Sequence, residues 1–320
     1  MSDNKVNKEI SCMDDFDMNS ITTDQALSEI FNAISPINKN EAIPIRESLN
    51  RILGENIKSH IDVPSARNSA MDGYAINKDD IPSDKTNKLK IIGKSLAGNP
   101  FTNSIKKGEC VRIMTGAVMP NGSDTVIIQE HVSLSSSNTE IIIDSSTKPR
   151  MNVREAGEDI RKGDIVLKKG KNLMPADIGL LASLGLSKIP VIRKLKVAFF
   201  STGDELRSIG EELLNGEIYD SNRYTLHAML SRNNVEIIDM GVIKDNKKLL
   251  GNAFNEAREK ADLLITSGGV SVGEADYVKD IIQNNGNINF WKVAIKPGRP
   301  LTFGNLGSAL FFGLPGNPVS

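Results

Sequence analysis

Glu274 and Asp276 stand directly behind a turn built from Ser267, Gly268, Gly269, Ser271 and Gly273. An apolar run at residues 263–266 precedes that turn, and the spacing of Tyr277, Val278, Ile281 and Ile282 follows it. The pattern predicts strand, glycine-rich turn and helix. Such a turn lets peptide N–H groups and a helix N-terminus approach an anion. It has neither the Gly-Lys-Ser/Thr of a Walker A loop nor the G-x-G-x-x-G spacing of a dinucleotide fold. Acids beside a phosphate repel it unless a hard cation bridges the two, which points to Mg2+. Acids at that position also stabilise a helix dipole with no ligand at all. By itself the turn leaves both readings open.

More polar residues fall where neighbouring strands should end. Ser201-Thr202-Gly203-Asp204-Glu205 closes one apolar run, and Lys244-Asp245 follows another. Ligands of parallel sheets bind at the C-terminal strand ends, and this many carboxylates on one rim require metal or cationic partners. The cations come late in the chain. No Asp or Glu occurs after Asp280, whereas Lys292, Lys296 and Arg299 surround the stretch Ile295-Lys296-Pro297-Gly298-Arg299-Pro300. A turn stiffened by proline and carrying an ammonium and a guanidinium can hold a tetrahedral oxyanion. Gly313-Leu314-Pro315-Gly316-Asn317-Pro318 repeats the motif of strand and rigid turn.

The elements that must position these residues divide the chain into four parts. Residues 191–320 alternate apolar strands with helical periodicity, giving an α/β domain with a mostly parallel sheet covered on both faces. Residues 61–148 hold short alternating runs between Asn-, Gly-, Pro- and Ser-rich turns, a small all-β domain. Residues 21–60 and 149–190 read as a discontinuous helical or linker domain, and polar residues 1–20 as disordered. In the linker domain, Thr22 and Gln25 form a capping box before an apolar stripe of Ala26, Leu27, Ile30, Phe31 and Ile34. A second short helix is expected over residues 46–53, ending at Gly54. A strand is expected over residues 290–295. Asp72-Gly73 and Thr115-Gly116 sit at the ends of β-domain strands and, taken alone, read as turn chemistry. The charges around Asp159 read as a solvated face.

The totals narrow the class. Hydrophobic residues make up 39% and charged residues 25% of the 320, the balance of a soluble globular protein. A net charge of −1 calls for neither nucleic acid nor an anionic membrane surface. No apolar run reaches transmembrane length, and the N-terminus has no signal-peptide pattern. Cys12 and Cys110 lie far apart with no metal-ligand spacing, which fits a reducing cytoplasm.

Seven segments, taken together, resemble one family. They are Asn68-Ser69-Ala70-Met71-Asp72-Gly73-Tyr74-Ala75, Ile113-Met114-Thr115-Gly116-Ala117, Gly157-Glu158-Asp159-Ile160, Ser201-Thr202-Gly203-Asp204-Glu205, the turn from Ser267 to Tyr277, Lys296-Pro297-Gly298-Arg299-Pro300 and Gly313-Leu314-Pro315-Gly316-Asn317-Pro318. In this order they resemble the molybdopterin molybdenumtransferase family of molybdenum-cofactor synthesis, related to the E domain of gephyrin. Where the family commonly has Lys-Pro-Gly-Lys-Pro, this chain has Arg299, which keeps the charge but changes its geometry.

The resemblance implies an α/β domain of molybdopterin-binding type and an enzyme that inserts molybdate into adenylated molybdopterin with release of AMP. It implies a homodimer in which Asp72 and Thr115 complete the partner's active site. It assigns phosphate or pterin binding to Ser267, Gly268, Gly269, Ser271 and Gly273, and Mg2+ to Asp276 and Asp245. Glu205 and Asp159 become polar site residues, and Lys292, Lys296 and Arg299 neutralise molybdate and phosphates. Pro315 and Pro318 shape the wall. Other molybdenum-cofactor biosynthesis proteins are implied as partners. Family members continue with a helix and a C-terminal β domain, which these 320 residues do not contain. Two other readings stand beside this one. The first is an enzyme like molybdopterin adenylyltransferase, whose fold the family's α/β domain shares. The second is a non-catalytic pterin-binding scaffold. The β domain with Asp72 and Thr115 favours insertion over the first, and carboxylates and cations at every strand end argue against the second.

Overall fold

The computed structural model of the chain describes residues 20–269 and 277–319. The segment 1–19, expected to be disordered, and the site candidates Ser271, Gly273, Glu274 and Asp276 lie outside the described residues. Contacts divide the chain into two compact units, residues 42–191 and residues 1–41 with 192–320.

The first helix departs from the expected division. α1 (Thr23–Ala33) opens with the expected capping box, Thr22 Oγ1 accepting from the Gln25 N–H at 3.2 Å and Gln25 Oε1 from the Thr22 N–H at 2.9 Å. It belongs to the α/β unit, not to a linker domain over residues 21–60, because Ala26 and Ile30 pack against Phe290, Val293 and Phe303. The apolar stripe is therefore split. Leu27, Phe31 and Ile34 stay 51%, 71% and 47% exposed.

In the unit of residues 42–191, β1 (Gly73–Ile76), β2 (Asn87–Ser95), β3 (Glu109–Ile113), β4 (Thr125–Ile128), β5 (Ser133–Leu134) and β6 (Glu140–Ile143) form one sheet in the order β4-β1-β3-β2-β6-β5. Only β2 and β3 run parallel. Alternation along these strands feeds two cores, one around Tyr74, Leu89 and Ile141 and the other around Ala75, Val111 and Val126. Burial, with Asp80 nearby, pushes the Cys110 thiol up to about 12, so it stays protonated and unreactive.

The segments expected to form a helical or linker domain are held largely by strand pairing. Ile57–Lys58 pairs with Ile165–Leu167, and Asn68–Ser69 with Val153–Arg154. α2 (Pro175–Ser183) is the α-helix of these segments, burying Leu181. No α-helix forms over residues 46–53. A 3-10 turn, Ile45–Glu47, stops where Ser48 Oγ donates to the Ile45 carbonyl at 2.6 Å and Asn50 takes a φ of 61°. The Leu53 N–H then donates to the Lys171 carbonyl at 2.8 Å.

The α/β unit contains β7 (Lys196–Thr202), α3 (Ser221–Ser231), β8 (Glu236–Ile243), α4 (Lys247–Lys260), β9 (Leu263–Ser267), α5 (Tyr277–Asn285), β10 (Asn287–Phe290), β11 (Thr302–Leu306) and β12 (Ala309–Leu314). Its sheet has the order β8-β7-β9-β12-β11-β10. The first three pairings are parallel and the last two antiparallel. Helix starts are set by side chains: Asp220 caps α3, and Asn246 accepts from the Lys248 and Leu249 N–H groups at the start of α4. Phe200, Leu264 and Phe311 pack under α4 and α5, and Phe290 and Phe303 pack under α1. The strand expected at residues 290–295 instead ends at Phe290, because Asn287 and Ile288 already pair with Asn305 and Gly304. Residues 291–301 are thereby released as a loop. Arg193 grips both oxygens of Asp262 at 2.6 and 2.7 Å beside the first strand, holding that carboxyl below its ordinary value.

Candidate active site

Strand registers bring several predicted residues to one rim of the α/β unit. Ser201 pairs with Ser267, and Ser267 with Leu314. Thr202 lies opposite Ile243, two residues before Asp245. Thr302 pairs with Gly313, which pairs with Thr266, and Phe290 pairs with Phe303. Both ends of the loop 291–301 therefore open at the same edge. The segments carrying Glu205, Asp245, Ser267, Gly268, Gly269, Pro315 and Pro318 leave the sheet there, as does the loop with Lys292, Lys296 and Arg299. The cationic loop is shaped by a cis Lys296–Pro297 bond and by the Arg299 carbonyl, which accepts from the Val293 and Leu301 N–H groups at 3.0 and 2.9 Å.

Two hydrogen-bonded links tie the rim together. Thr202 Oγ1 donates to Asp245 Oδ1, and the Asp245 N–H donates to Asp204 Oδ1 at 3.3 Å. This brings the Asp204 carboxylate onto the Asp245 backbone N–H, just beyond two adjacent strand ends. Asn222, in the first turn of α3, donates from Nδ2 to Ser267 Oγ at 2.8 Å and to the Gly316 carbonyl at 2.9 Å. Gly268 makes the turn itself possible. Its φ is +93°, and a Cβ there would lie 2.4 Å from the Thr202 carbonyl oxygen.

No group of three His, Cys, Asp or Glu side chains comes together among the described residues. Mg2+, however, commonly takes one or two carboxylates and completes its shell with water and substrate phosphates. Asp245 and Asp204 each carry hard oxygen donors of that type. Of the two expected ligands, Asp245 is the one described, and its carboxylate is a donor of the kind the ion takes. Asp276, the other expected ligand, lies outside the described residues.

In the other unit, Asp72 and Thr115 meet directly. Asp72 Oδ1 accepts from both the Thr115 N–H and the Thr115 hydroxyl, each at 2.7 Å. The backbone N–H first, then the hydroxyl, hold the Asp72 carboxyl below its ordinary value, with Arg112 adding to the effect. It is an anion at neutral pH. The Asp72 carbonyl accepts from the Gln129 N–H at 3.1 Å. Next to it lies a cavity of about 410 Å³ lined by Tyr74, Arg112, Gln129 and Glu130. Arg112 stacks 4.9 Å over the Tyr74 ring and bonds to Gln129. Asp159 pairs with Arg154 at 2.6 Å, and Arg154 sits opposite Asn68 in the short strand pair that leads into the Asp72 loop.

Sequence reasoning passed over Asn222, Thr202 and Arg154 as site residues. A signal for the first exists in Asp220-Ser221-Asn222, where a capping Asp puts the next polar side chain on the rim side of a helix N-terminus. For Thr202 and Arg154 the partners lie far along the chain or within a charge run, so only the fold picks them out.

An α/β sheet with glycine turns, carboxylates and a cationic loop at its C-terminal strand ends has the layout in which enzymes of this fold class bind anionic substrates. Residues 21–185 match the family described as "MoeA N-terminal region (domain I and II)", and residues 200–320 the "Probable molybdopterin binding domain". The molybdopterin molybdenumtransferase of Haemophilus influenzae is 48% identical over 94% of this chain and 74% of its own length. Gephyrin of Dictyostelium discoideum is 36% identical over 94% of this chain and 48% of its own. The crystal structure of the molybdopterin biosynthesis MoeA protein from Pyrococcus horikoshii aligns with a TM-score of 0.82 at 36% identity, covering 94% of this chain and 76% of that one. The chain belongs to the molybdopterin molybdenumtransferase family.

Proposed function

We propose that the chain is a transferase of molybdenum-cofactor biosynthesis that inserts molybdate into adenylated molybdopterin and releases AMP. The observation that carries this reading is the rim: a glycine turn, carboxylates just beyond adjacent strands and a loop of three cations at one edge of the sheet's parallel strands. Charge builds on phosphorus and on the leaving oxygen when a phosphoanhydride is cleaved, and fixed cations stabilise it. Lys292, Lys296 and Arg299 neutralise molybdate and the phosphates, while Ser267, Gly268 and Gly269 receive the phosphate or pterin portion. Exchange of oxygen for dithiolene sulfur at molybdenum depends on holding the reactants together, which is a proximity effect. Glu205 and Asp159 orient polar groups of the substrate, and Pro315 and Pro318 form a wall.

Asp245, with Asp276, would hold Mg2+, which supplies Lewis-acid stabilisation of the anhydride when bound. The chain acts as a homodimer in which Asp72 and Thr115 of one subunit serve the rim of the other. The exposed Leu27 and Phe31 of α1, with Ile34 at its C-cap, support self-association, being an apolar face that a monomer leaves in water. Among the described residues no helix is long and apolar enough to cross a membrane, and a cytoplasmic setting matches the chemistry.

AMP release from adenylated molybdopterin, followed with Mg2+ and with or without molybdate, tests the reading. Molybdate-dependent release that Asp276→Ala abolishes supports insertion. ATP-dependent adenylation of free molybdopterin, without molybdate-dependent release, would reject it.

A further inference from the structure

Asn222 belongs to none of the segments that carry the family resemblance, yet it joins the two glycine turns of the rim. Gly316 O is a carbonyl and can only accept, so the amide NH2 and not its oxygen must face the turns. One Nδ2 proton goes to Gly316 O and the other to Ser267 Oγ. Because Ser267 Oγ accepts that proton, its own hydroxyl proton is directed elsewhere. Ser267 is 3% exposed, and its neighbour Gly268 donates its N–H to the Leu314 carbonyl at 3.0 Å. The turns are in close contact: a Cβ on Gly316 would lie 3.5 Å from Gly268 Cα. Asn222 is itself anchored, since Asp220 Oδ1 accepts from the Arg223 N–H at 3.1 Å in the same helical turn.

We propose that Asn222 is a positioning residue for the anionic substrate, holding the Ser267 and Gly316 turns together and leaving the Ser267 hydroxyl as a donor to a phosphate oxygen. The inference rests on the reading above that this turn receives the phosphate. Asn222→Asp is the informative change. It has the same shape but only accepts, so it takes the Ser267 proton, opposes the Gly316 carbonyl and adds negative charge. Asn222→Ala removes the brace and leaves Ser267 able to donate. A brace with no bearing on the ligand would leave the two variants equal in AMP binding, whatever their thermal midpoints.

The test uses the full chain. KM and kcat for AMP release, the Kd for AMP by calorimetry, and thermal midpoints are measured for wild type, Asn222→Ala, Asn222→Asp, Ser267→Ala and the double variants. Asn222→Asp should weaken AMP binding and raise KM by about 30-fold or more, and Asn222→Ala by about 5-fold, with similar thermal midpoints. In the Ser267→Ala background the gap between the two Asn222 variants should narrow at least about threefold. Equal Kd values for Asn222→Ala and Asn222→Asp, or a gap unchanged by Ser267→Ala, overturn the inference. Wild-type turnover with an unaffected Asn222→Asp variant sinks this inference alone. A wild-type chain that neither binds nor releases AMP overturns the functional reading and this inference with it.

Discussion

Asp72 and Thr115 meet across a single turn-to-turn contact in the β-domain, whereas Thr202, Asp204 and Asp245 come from the ends of two parallel strands in the α/β unit. The first carboxylate is finished by the protein. Two donors from Thr115 fill one oxygen at 2.7 Å, so its charge and orientation are set before anything binds. The second is left unfinished. Asp245 Oδ1 is held by the Thr202 hydroxyl, while it is the backbone N–H of Asp245 that meets the Asp204 carboxylate. Local hydrogen bonds thus preset a charge on one side. On the other, the strand ends carry carboxylates that the proposed metal would use.

Removing each carboxylate sharpens that contrast most strongly. Asp245→Asn should lower turnover by about 100-fold or more and raise the Mg2+ concentration needed for half-maximal rate, since the proposed metal ligand would be lost. Asp72→Asn should lower turnover to a similar extent with no change in Mg2+ dependence. A shift in Mg2+ demand for Asp72→Asn would erase the distinction.

The glycines of the two regions give the next largest effect. Gly268→Ala meets both a positive φ and the Thr202 carbonyl, whereas Gly116, at φ +78°, has nothing within 4 Å of an added Cβ. Backbone strain alone costs about 1–3 kcal/mol, so Gly116→Ala should stay in that range and Gly268→Ala should exceed it in urea denaturation. Equal losses would mean the rim turn yields easily.

Thr115→Val is milder. It deletes the hydroxyl but keeps the N–H, the larger cause of the lowered Asp72 pKa, so turnover should fall only about tenfold. Acid stability moves least. Asp72 and Asp262 both have lowered folded pKa values, the first through Thr115 and the second through Arg193. Each stabilises the fold above its unfolded pKa of roughly 3.9 and loses that contribution as pH falls through the lower folded value. Below about pH 4, stability should therefore fall less steeply in Asp262→Asn than in wild type, as pH-dependent denaturation would register.

Much of the α/β unit is legible in the sequence because local signals agree with the fold. Asp220 and Asn246 mark the starts of α3 and α4, and the apolar runs at residues 196–201 and 263–266 mark the neighbouring strands β7 and β9. Legibility fails where tertiary contacts overrule local pattern. Residues 46–53 look helical until Ser48 bonds back to Ile45 and Leu53 reaches Lys171. The stripe on α1 looks like a core face, yet Phe31 is open to water. At the site, glycine turns and carboxylates announce themselves by type and position. Asn222 does not, because an asparagine in a first helical turn acquires meaning only from what Ser267 and Gly316 place opposite it.

The most direct test of the account asks whether the two regions serve one reaction across a dimer. Asp72→Asn and Asp245→Asn chains would be unfolded together, refolded, and assayed for molybdate-dependent AMP release. If each site draws its rim from one subunit and Asp72 from the other, half of the refolded dimers are mixed and each contains one intact site. Activity should then return to about a quarter of the wild-type rate. Activity no greater than that of either variant alone would contradict a shared site built from both regions.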